Sequence, residues 1–156
     1  MVHRNALTVN EILAEAGCPG RVRILDEAAP TAAAAAAQLG VDVGAIANSL
    51  VFRTADGEPL LVMTSGAHRV DTAKVAALVG TAELSRADPD FVRAATGQRI
   101  GGVAPVGHPS RIETLVDVAL GRYETVWAAG GVPNAVFPTT YAELLRLTAG
   151  RSADVA

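Results

Sequence analysis

The sequence predicts an α+β domain, and three observations predict it. Strand-like runs arrive as a hairpin and in short series, and helix-start signals with matching stops lie between them. Half of the 156 residues (50%) are hydrophobic, enough for a substantial core. Locally paired strands with helices inserted irregularly differ from the regular alternation of a parallel α/β sheet. A chain of this length is one ordinary domain, so residues 1–156 read as a single unit with no linker or internal repeat.

Each element has its own signal. Thr8-Val9-Asn10-Glu11 is a capping box ahead of Ile12, Leu13, Ala14 and Ala16, with Gly17 as the stop, and predicts the first helix. Residues 21–26 alternate polar and apolar and predict a half-buried strand. Pro30 and Thr31 open an alanine-rich helix ending near Gly40. Ser49–Arg53 and Leu60–Thr64 are strand-like runs around the turn Ala55-Asp56-Gly57-Glu58-Pro59, which predicts a hairpin. Asp71 caps a helix to Gly80, and Asp88-Pro89 caps another to Gly97. Residues 99–109 hold too much glycine and proline for a helix. Short strands are predicted at Thr114–Val118, Tyr123–Trp127 and Asn134–Phe137. The capping box Thr140-Tyr141-Ala142-Glu143 opens a last helix that runs to Gly150, and residues 151–156 are expected to fray.

Composition narrows the function classes. The longest apolar run, Ala32 to Ala37, is far short of the roughly 20 residues that cross a bilayer. Asn5, Asn10, Glu11 and Glu15 interrupt any secretory apolar stretch, so a cytosolic, membrane-free protein is expected. Cys18 is the one cysteine, which excludes an internal disulfide and a cysteine-based zinc site; no metal is expected. A net charge of −3 with 4% aromatic residues does not suit a coat for nucleic acid or a stacking platform. A grip on a few phosphates at a nucleic-acid end remains compatible.

Candidate site residues fall in three places. Residues 97–107 form the densest glycine cluster, which lacks both the Walker A lysine and a Gly-x-Gly-x-x-Gly spacing. Such a loop either bends the chain or presents backbone N–H groups to a carbonyl, and spacing alone favours the bend. His68, Arg69 and Asp71 stand together, with Asp71 better read as a helix cap and the other two undecided. Gly130 and Gly131 are a turn or a second wall of a site. No Gly-x-Ser-x-Gly elbow supports a serine hydrolase.

Five stretches taken in order resemble the YbaK/EbsC family, also described as the prolyl-tRNA-synthetase-associated editing domain. They are Ile46–Phe52; Gly66-Ala67-His68-Arg69-Val70-Asp71 with Lys74 and Gly80; Gly97 with Gly101–Gly107; Asp117 with Leu120; and Ala129-Gly130-Gly131, within a core of about residues 25–150. The resemblance implies a mixed β-sheet curled into a partial barrel with helices around it. It implies a free-standing hydrolase, without metal or organic cofactor, that removes a wrongly attached amino acid from the terminal adenosine of a transfer RNA. The implied partners are the acceptor end of a mischarged transfer RNA and, beyond it, an aminoacyl-tRNA synthetase; a monomer is expected.

On that resemblance Asn48, Gly101 and Gly102 are the catalytic candidates. Ser49, His68, Arg69, Val103, Ala104, Pro105, Gly130 and Gly131 are the substrate-binding ones. Many family members carry a lysine where this chain has Asn48, which donates through its amide but brings no charge. The alternative is therefore a binding module that kept the fold and lost the chemistry. Gly102→Val is expected to damage activity more than stability, by blocking a carbonyl's approach to the backbone.

Overall fold

The computed structural model describes residues 3–156. Helix α1 (Arg4–Glu15) starts one turn earlier than its capping box suggests. His3 caps it through Nδ1, which accepts from Asn5 N at 3.0 Å, and Thr8 lies inside the helix. The buried stripe Ala6, Val9, Leu13 explains the earlier start, since an apolar residue at 6 extends the packed face upstream. Strand β1 (Arg23–Ile24) is shorter than the alternation of residues 21–26 implies, and both its residues are exposed. Val22 N donates to the Asn10 side chain at 2.7 Å, so that amide is spent on α1 and not on a strand ladder.

The middle of the chain follows its caps. Helix α2 (Ala32–Leu39) has Thr31 as N-cap and Gly40, at φ 69°, as C-cap. Strands β2 (Ile46–Thr54) and β3 (Pro59–Ser65) form the expected hairpin, with Leu50 opposite Val62. Helix α3 (Thr72–Val79) is capped by Asp71, and α4 (Pro89–Thr96) by Asp88. Between them lies a strand without a sequence signal, β4 (Leu84–Arg86), paired to the end of β2. Strands β5 (Glu113–Asp117), β6 (Val126–Ala129) and β7 (Ala135–Thr139) follow. β6 starts later than predicted because Tyr123 still ends a 3-10 turn at Val118–Arg122. Helix α5 (Tyr141–Thr148) is capped by Thr140.

The last residues do not fray. Arg151–Ala153 form β8, parallel to β5. Val155 is fully buried, and its carbonyl accepts from Asp71 N at 2.8 Å. Lys74 Nζ reaches Asp154 at 2.7 Å, and this hydrogen bond holds the Asp154 carboxyl below its ordinary pKa.

The sheet runs β1-β7-β6-β2-β3-β5-β8, with β4 attached to β2. Pairings β2/β6, β3/β5 and β5/β8 are parallel and the others antiparallel, so the sheet is mixed. β1 and β8 stand at opposite ends of that path and leave the sheet unclosed. β3 is covered on both faces. Leu61 and Met63 pack in one cluster with Val9 and Leu13 of α1 and Leu144 of α5; Leu60 and Val62 pack in another with Val75 of α3. That double burial is why its sequence reads as one continuous apolar run. A third, smaller cluster seats α2 against Ile46 and Trp127.

Candidate active site

The site begins where the sheet parts. On its outer edge β2 pairs with β6 only at Ile46 and Ala47, and with β4 only from Phe52 to Thr54. Between these contacts a cavity of about 360 Å³ opens beside β2. Its walls are β2 itself, Trp127–Ala129 of β6, Arg86 and Ala87 by β4, the start of α2, Val132 and Pro133, and the loop residues Ile100, Gly101 and Val103. That size suits a small ligand.

Asn48 and Ser49 line the cavity, and Asn48 is exposed there. Ser49 Oγ is turned to Met63 Sδ at 3.2 Å, so it is not poised as a nucleophile. No histidine, cysteine or carboxylate stands among the described lining residues, and Arg86 is the one charged side chain.

The glycine loop is set rigidly against this cavity from behind. Gln98 is buried; its Oε1 accepts from Ala104 N at 2.6 Å and its Nε2 donates to Val106 O at 3.1 Å. His108 Nε2 donates to Ala104 O at 2.8 Å. Ala104 thus has both backbone groups committed and cannot bind a ligand through them. Gly102 N is turned to Arg99 O at 3.3 Å. The N–H groups of Gly101 and Val103 have no acceptor among the described residues, and both residues face the cavity. Those two are the free donors, a sharper assignment than the run from Gly101 to Pro105.

Several expected binding residues lie elsewhere. Pro105 borders a separate, more open depression, with His108 and Leu147. Gly130 and Gly131 are turn residues: Gly130 N donates to Ala135 O at 2.7 Å, and Gly131 O accepts from Asn5 Nδ2 at 3.2 Å. Their neighbours Ala129 and Val132 supply the wall instead. His68 and Arg69 do not line the cavity. His68 Nδ1 bonds Asp117 Oδ2 at 2.8 Å, and the fully buried Asp117 also accepts from Ser65 N and Ala119 N. This pair ties the ends of β3 and β5 together.

Arg86 escaped sequence reasoning because β4 carries no periodic signal. Gln98 and His108 had a weak one, as polar residues flanking a glycine loop that must be anchored somewhere.

Burial pushes the His108 imidazole below its ordinary pKa of 6.5, against the raising effect of its bond to Ala104. As pH falls below 6.5, the unfolded chain takes up a proton that the folded state resists. Folding stability should therefore drop on acidification, and His108→Asn should remove part of that slope. Melting temperatures of both proteins between pH 7.5 and 5 check this; parallel curves would contradict it.

Known proteins share this architecture. A family model described as the aminoacyl-tRNA editing domain matches residues 26–147. An uncharacterized protein of Bacillus subtilis (strain 168), YwhH, is 34% identical over 110 residues, which are 70% of this chain and 69% of that protein. The proline--tRNA ligase of Geobacter sp. (strain M21) is 34% identical over 85 residues, 54% of this chain. This matched stretch is 15% of the ligase, so the chain spans only a small part of such an enzyme. A solved structure described as a proposed trans-editing enzyme for prolyl tRNA synthetase superposes with a TM-score of 0.92 at 40% identity. It covers 99% of this chain and 98% of its own.

Proposed function

This chain belongs to the aminoacyl-tRNA editing domain family, and from that premise we propose that it is a trans-acting deacylase. Its substrate is the ester joining a wrongly attached amino acid to the terminal adenosine of a transfer RNA. The observation that carries this reading is the cavity where the sheet parts, with free loop amides on its wall and no activated side-chain nucleophile among the described lining residues. An aminoacyl ester is already activated, so positioning and oxyanion stabilisation suffice to speed its hydrolysis.

The chemistry follows from those groups. Water adds to the ester carbonyl, and the charge that develops on its oxygen is met by the Gly101 and Val103 amides. Collapse breaks the bond to the ribose oxygen, which leaves as a hydroxyl carrying a proton from the water. The amino acid departs as its carboxylate, and the second proton of the water passes to solvent. A neighbouring ribose hydroxyl orients the water, as the family likeness implies. Asn48 donates to the ribose or its phosphate, and Arg86 brings the positive charge that Asn48 lacks. Partners are the acceptor end of a transfer RNA and a synthetase of the proline type, in the cytoplasm where transfer RNAs are charged. The likenesses give the binding-only alternative no support.

Incubation with a panel of mischarged transfer RNAs tests the proposal: one or more should lose its amino acid faster than spontaneously. No release from any of them overturns it. A second expectation concerns the departure from the family lysine. Asn48 is exposed, so Asn48→Lys should fold normally and place an ammonium at the mouth of the cavity. A charge-assisted hydrogen bond contributes about 1.5–3 kcal/mol, so deacylation or acceptor-end binding should rise about tenfold. An unchanged rate and affinity would show that position 48 does not meet the substrate.

A further inference from the structure

The free stretch of β2 has a chemical polarity of its own. Backbone groups of successive strand residues point to opposite edges. Ile46 O accepts from Gly66 N on the β3 side, whereas Val51 O accepts from Ala87 N on the outer side. Odd-numbered residues of β2 therefore turn their N–H and C=O outward. Ala47 spends its groups on β6, and Arg53 lies within the pairing to β4. Ser49 falls in the gap, and neither its N–H nor its C=O has a partner among the described residues. An unpaired backbone pair persists at such a place when water or a ligand satisfies it.

Between Ala47 and Phe52 only Ser49 turns both an unspent N–H and an unspent C=O outward, since Val51 O already accepts from Ala87 N. The edge therefore offers one main-chain donor–acceptor pair to a ligand and not the ladder that an added strand would use. The lining residues hold no carboxylate, so a cationic amine entering here meets only neutral acceptors. A carbonyl on a strand edge is such an acceptor, and Arg86 on the same wall repels the amine from the other end.

We propose that the Ser49 backbone carbonyl, exposed where β6 and β4 part from β2, binds the α-ammonium group of the aminoacyl moiety. The assignment rests on the deacylase reading and adds to it a requirement for a free α-amino group. Substrates with an acylated or missing amine are rejected by a main-chain group, independently of their side chain.

Two non-hydrolysable ligands test this by calorimetry: a 3′-aminoacylamino-3′-deoxyadenosine, in which an amide replaces the ester, and its counterpart lacking the α-amino group. The amine form should bind about tenfold or more tightly, as loss of a charged hydrogen bond predicts. In amide-detected spectra the Leu50 nitrogen, which shares a peptide unit with the Ser49 carbonyl, should shift with the amine ligand and stay put with the other. The preference should survive Asn48→Ala, because the acceptor is main chain. Equal affinity of the two ligands overturns the inference and leaves the deacylase reading standing. Loss of the preference in Asn48→Ala overturns it too, by assigning the amine to the Asn48 amide oxygen. If neither ligand binds, both the inference and the deacylase reading fall.

Discussion

Asp117→Ala is expected to cost about 3–5 kcal/mol, the scale of stripping a partner from a buried polar pair. The residue is fully buried, and its carboxylate accepts from His68 Nδ1 at 2.8 Å, Ala119 N at 2.9 Å, Ser65 N at 3.0 Å and Thr64 Oγ1 at 3.4 Å. Alanine leaves two main-chain N–H groups with no acceptor, each costing about 1–3 kcal/mol. A domain of this length loses about 3 °C of melting temperature per kcal/mol, so a fall of about 10 °C or more follows. His68→Ala should cost far less, because the imidazole is 30% exposed and water can replace it on the carboxylate. Thermal melts of both variants check the ranking. Equal losses would place the stabilisation in the His68 contact and not in the amides of β3 and the 3-10 turn. The consequence reaches the site, since Thr64 stands directly opposite Asn48 in the hairpin register.

Caps were the most legible feature of this sequence. Thr31, Asp71, Asp88 and Thr140 each accept from the amide three residues on, because a side-chain cap is a local interaction written within one turn. The β2–β3 hairpin was equally local. What escaped were β4 and β8, three-residue strands whose existence depends on an open edge supplied from far along the chain. Residues 21–26 failed the other way. Their alternation is real, but Val22 gives its amide to Asn10 of α1, and no periodicity reports that.

The site divides along the same line. Glycine spacing and family likeness led to the loop and to Asn48, both of which border the cavity. Neither could say which loop amides remain free, because that depends on Gln98 and His108 reaching the N–H and the C=O of one residue, Ala104. Nor could they separate Gly130 and Gly131, which shape a turn, from Ala129 and Val132, which line the cavity.

Gly102 is where sequence and structure make opposite forecasts. From sequence, Gly102→Val costs activity more than stability, since a side chain there would block a substrate carbonyl. In the fold, a Cβ on Gly102 would run into the main chain of the β6–β7 turn: the Val132 carbonyl carbon, Pro133 N at 2.6 Å and Val132 Cα at 2.8 Å. Backbone atoms cannot rotate away as a side-chain tip can, so the loop or the turn must move. Overpacking of this kind costs about 1–3 kcal/mol, occasionally more. Gly102→Ala is therefore expected to lower the melting temperature by about 3–9 °C, and Gly102→Val by more. Activity should fall with it, because Val132 and Val103 are both cavity walls and the same displacement moves them. Gly101→Ala is the control. Its Cβ would meet nothing within 4 Å, and its cost comes only from a backbone φ of +94°. That strain costs about 1–2 kcal/mol without pushing on the turn. Melting and deacylation measured on both variants separate the forecasts. A Gly102→Ala protein that melts like the wild type yet has lost activity would mean that this glycine faces the substrate and the turn is not pressed against it.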